Sequence, residues 1–502
     1  MAAPPPSTPV IVGVGETANR SKRVEDAREP LDLMLDAVRK AIGDAGVQEE
    51  DIIPLIDTIS VVPPWSWPYK DLPSLVASKL GVRNAKNLEL GIHGGNQPVM
   101  LCDQAARQVA SGEGKVAVIT GGEALASLAA CRKAGETPRG WTAPDPTQSS
   151  LDISNLDIRG KNVGTRHGMG LPIHVYPMYE NASRAHRKQS YSDNNEESQE
   201  MYAAFDRTAC SLEYSWRSGQ RPKTAKEIGT PTERNRMICT PYPLLMNAFN
   251  NINLAAAAIV TTVHHAEALG IPLWERPCYH RSQAIEQSID AAMRRSGIDK
   301  SDIDCYDFYS CFPIVPKLAC RHLGLDPVSP SKPISLLGGL TSFGGAGNNY
   351  SLHAIAEMTR QIRNGSYKTG LILANGGVLT YQHAICLSSA PRRDSSPYPG
   401  GDAQPELVEA GDVPVPVFDE LADGEATIEA FTVEFDRKGQ PRQALIIGIL
   451  DGNGHRFLAN HGDQLTLRKL CDTNLEPVGM KGTVRTQSDG RNTFVLGPGG
   501  KL

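Results

Sequence analysis

The sequence predicts an α/β fold in which one module occurs twice, followed by a small all-β domain. Residues 33–62 show the pattern of an amphipathic helix, a glycine stop and an apolar strand, and residues 288–311 repeat that order. A second helix and apolar strand follow each of these, ending near residues 122 and 377. Because internal duplication constrains a fold more than any single motif does, we expect two similar halves that face one another.

Apolar spacing predicts the elements of the first half in order. The chain opens with a strand at residues 9–15, and apolar residues from Leu31 to Ala45 then recur with helical spacing up to a stop at Gly46. Residues 116–120 are apolar without alternation, which is typical of a strand buried on both faces.

The second half shows the same order after an insertion. Residues 131–250 contain Pro/Gly-rich loops and one helix predicted around residues 197–216, as expected of a segment that covers a substrate. A helix containing Ile285 and Ile289 then stops at Gly297, and residues 371–374 form the matching buried strand.

Four segments result from these patterns. The N-terminal half with its insertion takes residues 1–270, and the C-terminal half takes residues 271–390. Residues 391–416 form a linker rich in Pro, Asp and Gly, and residues 417–502 form the β domain. The short strands and Gly/Asn/Asp turns of that domain predict a five-stranded barrel or sandwich.

Composition excludes several classes of function. The chain has 502 residues, of which 21% are charged, and a net charge of −5, so nothing indicates a nucleic-acid partner. The ten cysteines lack the spacing of metal ligands, which predicts reduced thiols and no metal site. We find neither a signal peptide nor an apolar run that could span a bilayer, which favours an intracellular protein.

The last three residues, Gly500, Lys501 and Leu502, differ by one step from the small-basic-leucine tripeptide of peroxisomal import. Glycine is a weak first residue of such a signal, and three-letter matches arise by chance. A cytoplasmic and a peroxisomal location therefore both stay open.

Five motifs of the two halves resemble the thiolase superfamily. They are GGNQP at 94–98, GGEALAS at 121–127, DFYSCFP at 307–313, GGLTSFGGAGNNY at 338–350 and NGGVLTYQHA at 375–384. The chain is most similar to the sterol-carrier-protein-type branch, and within it to thiolase-like proteins of type 1 with an additional C-terminal domain. This resemblance implies a five-layer αβαβα fold, an OB-like C-terminal barrel, acyl-CoA or CoA as ligand, and either a homodimer or a monomer.

The same resemblance implies that the standard catalytic groups are lost. The nucleophilic cysteine of thiolases falls on the turn of Gly95 and Asn96, and the histidine of their GHP motif falls on Gly345. Their second cysteine becomes Ala374, and the histidine of their HDCF motif becomes Tyr309. Standard chemistry through an acyl-cysteine is therefore not expected of this chain.

Three residues are candidates for catalysis. A phenol at Tyr309 can donate a hydrogen bond to a thioester carbonyl or, with a lowered pKa, act as an acid or base, although a packed ring with a satisfied hydroxyl is an equal alternative. His383 is the candidate general base, against a structural role. Cys311 precedes a helix that can favour its thiolate, against a role as a small core residue.

Further candidates bind the substrate. Backbone N–H groups of the two glycine-rich turns can hold an oxyanion without a catalytic side chain, or the glycines merely allow close helix packing. The candidate substrate-binding residues are Gly95, Asn96, Gly345, Asn348, Asn375 and Gly376. Asn247 and Asn250 resemble the segment that borders the CoA pocket of thiolases.

Several functions stay open at this stage. The first is an acyl-CoA-processing enzyme, an acyltransferase of the acetyl-CoA acetyltransferase type without a cysteine nucleophile. The alternatives are a lyase or aldolase that cleaves a carbon–carbon bond of an acyl-CoA, a non-catalytic acyl-CoA or lipid binder, and a role in assembly. No cofactor is expected beyond the CoA thioester itself.

Overall fold

The structure is a computed structural model that describes residues 8–147, 163–261, 279–379, 381–392, 398 and 416–497. Its first half alternates strands and helices in the predicted order. The helix that starts at Pro30 ends at Asp44, and the predicted stop, Gly46, follows with φ of +71°. The elements are β1 (Val10–Ala18), α1 (Pro30–Asp44), α2 (Glu49–Ile52), β2 (Ile56–Val62), α3 (Leu72–Leu80), β3 (Asn87–Leu90), α4 (Gln97–Ala110), β4 (Val116–Ala124) and α5 (Leu125–Ala134).

The insertion between the halves is mostly helical. Its elements are α6 (Val163–Arg166), α7 (Pro172–His186), α8 (Tyr191–Ser211), α9 (Ala225–Gly229), β5 (Met237–Cys239) and β6 (Tyr242–Pro243), and β7 (Asn253–Thr261) then returns to the first half. The single helix predicted around residues 197–216 is wrong in its limits, because Ser190 caps α8 by accepting a hydrogen bond from the Asp193 N–H. The sequence also missed α7, which contains Pro177, a residue that argues against a helix interior.

The second half repeats the strand pairing of the first. Its elements are α10 (Gln283–Ser296), β8 (Cys305–Phe308), α11 (Ile314–Leu323), α12 (Tyr350–Arg363), β9 (Thr369–Gly376) and β10 (Tyr381–Ser388). β2 pairs in parallel with β4, and β4 pairs antiparallel with β7. In the same way β8 pairs in parallel with β9, and β9 pairs antiparallel with β10. The predicted duplication is therefore visible in the topology itself.

The two sheets enclose a layer of helices. The first sheet has the order β1-β7-β4-β2-β3, and the second has the order β10-β9-β8. α4 and α12 contact strands of both sheets, whereas α1 and α3 contact only the first sheet and α10 and α11 cover the second. The five-layer αβαβα arrangement is thus confirmed, and the starts of α4 and α12 lie at its centre.

The C-terminal domain is a closed five-stranded barrel. Its elements are β11 (Gly424–Phe435), β12 (Pro441–Leu450), β13 (Arg456–His461), α13 (Gln464–Cys471), β14 (Lys481–Thr486) and β15 (Asn492–Leu496). The barrel closes because β11 pairs with both β12 and β14, while β13 and β15 run parallel. One helix between the third and fourth strands completes the OB-like topology that the resemblance implies.

The barrel is joined to the insertion by a shared sheet. Cys239 of β5 pairs with Glu434 of β11, so the insertion adds β5 and β6 to the edge of the barrel sheet. Asn181 of α7 donates hydrogen bonds of 3.0 Å to the carbonyl oxygens of Thr240 and Phe431, one on each side of this junction. α7 therefore carries the barrel on one face.

A buried polar cluster fixes the insertion to the second half. Lys317 of α11 donates to Glu180 Oε1 at 2.8 Å, to Asn194 Oδ1 at 3.0 Å and to Ser198 Oγ at 2.8 Å. Tyr242 donates to the other oxygen of Glu180 at 2.5 Å. Because Lys317 and Glu180 are fully buried, this ion pair is satisfied only while α7, α8 and α11 stay together.

Some of the predicted features lie outside the described residues. These are most of the linker at 391–416, the boundary at 270 and 271, and the tripeptide at 500–502. Within the described ranges, no helix is long and apolar enough to cross a membrane. Over those same ranges, no group of three or more His, Cys, Asp or Glu side chains is placed to hold a metal ion.

Candidate functional site

Six of the predicted site residues meet at the centre of the layers. They follow β8, precede α4 or end β9: Tyr309, Cys311, Gly95, Asn96, Asn375 and Gly376. Because β8 and β9 run parallel, their carboxyl ends lie at the same edge of the sheet. The start of α4 meets this edge, since a Cβ atom on Gly376 would lie 2.3 Å from Asn96 Oδ1.

The backbone of Gly95 lies directly against Tyr309. A Cβ atom on Gly95 would lie 2.5 Å from the Tyr309 hydroxyl oxygen and 2.5 Å from the backbone carbonyl oxygen of Asn375. The Tyr309 ring is held edge-on against Tyr350, with ring centroids 5.4 Å apart. No side chain therefore fits at Gly95, next to which the resemblance places the nucleophile of thiolases.

We expect Gly95→Ala to lower the free energy of unfolding by about 1–3 kcal/mol, because the methyl group has to displace a backbone carbonyl as well as a ring. Gly94→Ala is the matched control, since a Cβ atom there meets mainly the side chain of Asn96, which can rotate away. Urea denaturation of both variants measures the difference. Equal losses in the two variants would contradict the close packing at Gly95.

The start of α4 carries unpaired backbone donors. The N–H of Gln97 donates to Gly94 O at 3.1 Å, and that of Met100 donates to Asn96 O at 3.1 Å. The N–H groups of Gly95 and Asn96 have no hydrogen-bond partner in the described part of the chain. They lie at the positive end of the α4 dipole, where a negative oxygen is stabilised. This turn therefore has the donors that an oxyanion site requires.

The glycine-rich turn before α12 differs in this respect. The Gly345 N–H donates to Phe249 O at 2.7 Å, and the Gly347 N–H donates to Gly345 O at 2.8 Å. The Gly345 N–H is therefore already paired, because the end of the insertion supplies a carbonyl that satisfies it, and a contact of Gly345 with substrate stays a prediction. Gly345 instead allows the side chain of Asn250 to lie close to the backbone, since a Cβ atom at this position would lie 2.2 Å from Asn250 Oδ1.

Asn348 is occupied by contacts within the protein. Its Nδ2 donates to Pro63 O at 2.8 Å and bonds His93 Nδ1 at 3.0 Å, while its Oδ1 accepts from Trp65 Nε1 at 3.0 Å. Asn348 therefore braces the loop after β2, and its contact with a substrate stays a prediction. The two glycine-rich turns nevertheless meet as predicted, because Ser351 Oγ donates to Gly95 O at 3.3 Å.

The insertion supplies a second tyrosine that the sequence analysis missed. The Tyr176 hydroxyl accepts from Asn375 Nδ2 at 2.7 Å and donates to Gly377 O at 3.2 Å, and its ring stacks on Phe312 with centroids 4.6 Å apart. Gln382 Nε2 donates to Asn375 Oδ1 at 2.5 Å. The Asn375 amide therefore orients Tyr176. Tyr176 lies on the helix with an internal proline, so no pattern in the sequence marked it.

Cys311 is a buried, protonated thiol. Burial raises its pKa to about 12, although hydrogen bonds with Tyr176, the Phe312 N–H and Asn375 oppose the rise. The hypothesis that the following helix favours the thiolate is wrong, because desolvation outweighs the helix start. The alternative, a small buried residue, describes Cys311 correctly.

In the folded protein at pH 8 we expect Cys311 to resist alkylation by iodoacetamide, because a thiol of such a pKa holds only about 10⁻⁴ of its population as thiolate. Peptide mass spectrometry after a timed exposure measures the modified fraction. The urea-unfolded chain is the control, in which the same cysteine is expected to react fully. Rapid labelling in the folded state would show an activated thiol.

The motif predicts a turn or helix start at His383, but the residue lies within strand β10. Its Nε2 is 3.5 Å from Asp103 Oδ2, and Asp103 also pairs with Arg107 at 2.8 Å and accepts from the Tyr398 hydroxyl at 2.7 Å. Burial raises the pKa of Asp103, but His383 and Arg107 outweigh it and lower the value to about 2. His383 thus holds β10 on α4, and its role as a general base stays a prediction.

Asn247 and Asn250 flank the second glycine-rich turn. Asn247 is buried, and its Nδ2 donates to Pro243 O at 2.8 Å while its backbone oxygen accepts from Thr341 Oγ1 at 3.1 Å. Asn250 is half-buried against Gly345. Contact of these two residues with CoA stays a prediction.

The centre of the site is suited to polarising a carbonyl group. Burial raises the pKa of Tyr309 above its ordinary value, so its hydroxyl is a neutral hydrogen-bond donor. That hydroxyl has no hydrogen-bond partner among the described residues, and it lies beside the unpaired N–H groups of Gly95 and Asn96. Donors fixed in a buried site stabilise negative charge on an oxygen atom far better than water does.

Comparison with known proteins agrees with this architecture. Residues 405–490 match the family described as the additional C-terminal domain of thiolase-like protein type 1. No curated protein sequence gives a significant match. Among solved structures the chain is similar to a monomeric SCP2-thiolase-like protein type 1 from Mycobacterium smegmatis, with 29% identity, a TM-score of 0.78 and coverage of 98% of this chain and 100% of that chain.

Two further solved structures share the fold alone. One is described as an Ltp2-ChsH2(DUF35) aldolase, with 18% identity, a TM-score of 0.54 and coverage of 78% of this chain and 100% of that chain. The other is human mitochondrial 3-ketoacyl-CoA thiolase in complex with CoA, with 16% identity, a TM-score of 0.53 and the same coverage, 78% and 100%.

Proposed function

Because this chain is a thiolase-like protein of type 1, in the sterol-carrier-protein-type branch of the thiolase superfamily, we propose that it acts on acyl-CoA thioesters without forming an acyl-cysteine. The observation that carries this proposal is the unpaired Tyr309 hydroxyl packed on Gly95, next to which thiolases carry their nucleophile. The phenol and the free N–H groups of Gly95 and Asn96 hold the thioester oxygen while negative charge develops on it.

The proposed binding mode follows from the insertion. Thiolases hold CoA beside the segment that corresponds to Asn247 and Asn250, and one protein of similar fold is known in complex with CoA. In this chain Asn250 lies against Gly345 and Asn247 bonds Thr341 of the same glycine-rich segment, while the Tyr309 ring packs on Tyr350 at the start of α12. We place the pantetheine arm along this segment and the thioester at Tyr309.

The reaction that the geometry supports best is cleavage or formation of a carbon–carbon bond next to the thioester carbonyl. Such a reaction needs an enolate-stabilising donor and a second polar group, and Tyr309 and Tyr176 flank Cys311 in these two roles. An aldolase shares the fold. Acyl transfer of the acetyl-CoA acetyltransferase type is less well supported, because it proceeds elsewhere in the superfamily through an acyl-cysteine.

A non-catalytic acyl-CoA binder is the second candidate. It is favoured by the raised pKa of Cys311, which leaves the thiol protonated and unable to act as a strong base. Retention of a carbonyl-binding site without turnover would fit such a protein.

Calorimetric titration with CoA and acetyl-CoA tests the proposal, followed by intact-mass analysis after exposure to acetyl-CoA. We expect binding of acetyl-CoA and no acetyl adduct. An adduct on any cysteine would overturn the absence of an acyl-enzyme, and the absence of binding would overturn the acyl-CoA ligand. Product analysis with β-hydroxyacyl-CoA substrates then separates the enzyme from the binder.

We also propose that the chain works as a monomer. The type 1 protein from Mycobacterium smegmatis, to which this chain is similar over nearly its whole length, is described as monomeric. Light scattering of the purified protein decides between this and the homodimer that thiolases usually form. The peroxisomal tripeptide stays a prediction, for which import of a protein fused to residues 500–502 is the direct assay.

A further inference from the structure

A second cavity lies where the insertion meets the barrel. Its volume is about 750 Å³, which is within the range of sites for small organic ligands. The end of α7 and the start of α8 form one wall, residues 279 and 280 form the floor, and β11 with the loop after α13 forms the opposite wall. Among the residues that line the cavity are Arg184, His186, Lys188, Tyr191 and His280.

The carboxylates in this cavity are already paired. Glu476 accepts hydrogen bonds from both terminal nitrogens of Arg184, and Glu429 is paired with Arg456 at 2.6 Å. Lys188 has no ion pair or hydrogen bond through its ammonium group among the described residues. Its backbone φ of +53° belongs to the left-handed cap that ends α7, in which the Gln189 N–H donates to Arg184 O. One positive charge is therefore left over at the cavity wall.

Two buried donors face the same space without an acceptor. Arg184 is 1% exposed, and its Nε has no hydrogen-bond acceptor in the described structure. Tyr191 is 9% exposed, and its hydroxyl lies within reach of the Arg184 guanidinium but has no acceptor for its own proton in the described structure. The Arg184 guanidinium lies 3.9 Å from the centroid of the Tyr191 ring, so the two donors are adjacent. Buried donors without acceptors are costly unless a ligand supplies the acceptor.

The rim of the cavity adds a flat, basic surface. The rings of His186 and His280 stack with centroids 4.1 Å apart and planes 14° apart. Burial lowers the pKa of His280, and the positive charges of His186, Arg281 and Arg321 lower it further, against a smaller opposing effect of Glu429. Arg281 and Arg321 thus place positive charge near His280.

We propose that this cavity binds the phosphate group of a small molecule, with Lys188 and Tyr191 as its principal donors and Arg184 Nε behind them. A phosphate offers several strong acceptor oxygens to donors that have none, and its charge matches the surplus cation. Two turns of α7 separate Tyr176 from Arg184, a rise of roughly 12 Å, so this site is distinct from the centre at Tyr309. The proposal does not depend on the proposed function.

Calorimetry of the full chain with inorganic phosphate, AMP and adenosine tests this site. We expect phosphate and AMP to bind and adenosine not to bind. Tighter binding of AMP than of phosphate would identify a phosphorylated metabolite as the ligand, and the reverse would identify free phosphate. Binding of adenosine as strong as that of AMP, or no binding of any probe, would overturn the proposal.

Lys188→Asn removes the charge and retains a residue that accepts a left-handed backbone. We expect it to weaken binding of phosphate and AMP about tenfold or more, because one charge-assisted hydrogen bond is lost. Tyr191→Phe is expected to weaken this binding to a smaller extent. Lys438→Asn is the matched control, an exposed turn lysine of the barrel outside the cavity. Unchanged affinity in Lys188→Asn would overturn the assignment. Since CoA also carries phosphates, the acetyl-CoA titration is repeated with AMP present.

Discussion

Lys317→Met is expected to lower the free energy of unfolding by about 3–5 kcal/mol, because it leaves Glu180 as a buried carboxylate without its cation. Lys317 and Glu180 are 1% and 0% exposed in their side chains, so water cannot replace the lost contacts. Asn194 and Ser198 lose the donor that they share. Guanidinium denaturation followed by tryptophan fluorescence measures the effect.

The control for this prediction removes the partner charge as well. In Lys317→Met with Glu180→Gln, the amide can still accept a hydrogen bond from Tyr242, and no unpaired charge is left at this position. We expect the double variant to regain about 1–3 kcal/mol relative to the single one. A single variant within about 1 kcal/mol of the wild type would show that the cluster does not hold the insertion on α11.

Tyr309→Phe is expected to reduce turnover about 10²–10³-fold, because it removes one hydrogen-bond donor to the developing oxyanion. The measurement is exchange of the α-hydrogens of a bound acyl-CoA in D₂O, which reports the enolate whatever the natural acyl chain. Folding stability is expected to change little, because the hydroxyl makes no hydrogen bond within the described structure. The two readouts together separate a catalytic phenol from a packed ring.

Tyr306→Phe is the matched control for this variant. Tyr306 lies in β8, the strand that Tyr309 follows, and its buried hydroxyl is also without a partner in the described structure. It lies among Cys305, Cys320 and Cys386, on the side of the second sheet that α10 and α11 cover. Equal exchange rates in the wild type and Tyr309→Phe would remove Tyr309 from the mechanism. Exchange absent in the wild type would favour the non-catalytic binder.

Much of the fold was predictable because it depends on local patterns. The apolar spacing before Gly46 and Gly297 marks helices whose ends need a left-handed residue, and both glycines have that conformation. The uninterrupted apolar runs in β4 and β9 mark strands covered on both faces. The insertion was less predictable, because Pro177 sits within a helix that tertiary packing maintains.

The candidate site was predictable only in part, because its partners come from distant segments. The turn of Gly95 and the strand end at Tyr309 were found by their motifs. The partners of Asn348 and His383, however, are residues more than two hundred positions away, and these contacts fix where both side chains lie. Tyr176 reaches the site from the insertion in the same way. Local patterns in the sequence do not predict such long-range pairs.

The junction of β5 with β11 has a consequence for biosynthesis. Cys239 and Glu434, which pair across it, are separated by 434 − 239 = 195 positions, so the ribosome needs roughly 10–40 s to add the second strand after the first. During that interval the edge of β5 has no barrel strand beside it, and an unpaired edge can join the wrong chain. The barrel thus completes a sheet that begins in the insertion. We therefore expect β5 to be exposed to wrong pairing until β11 has been translated.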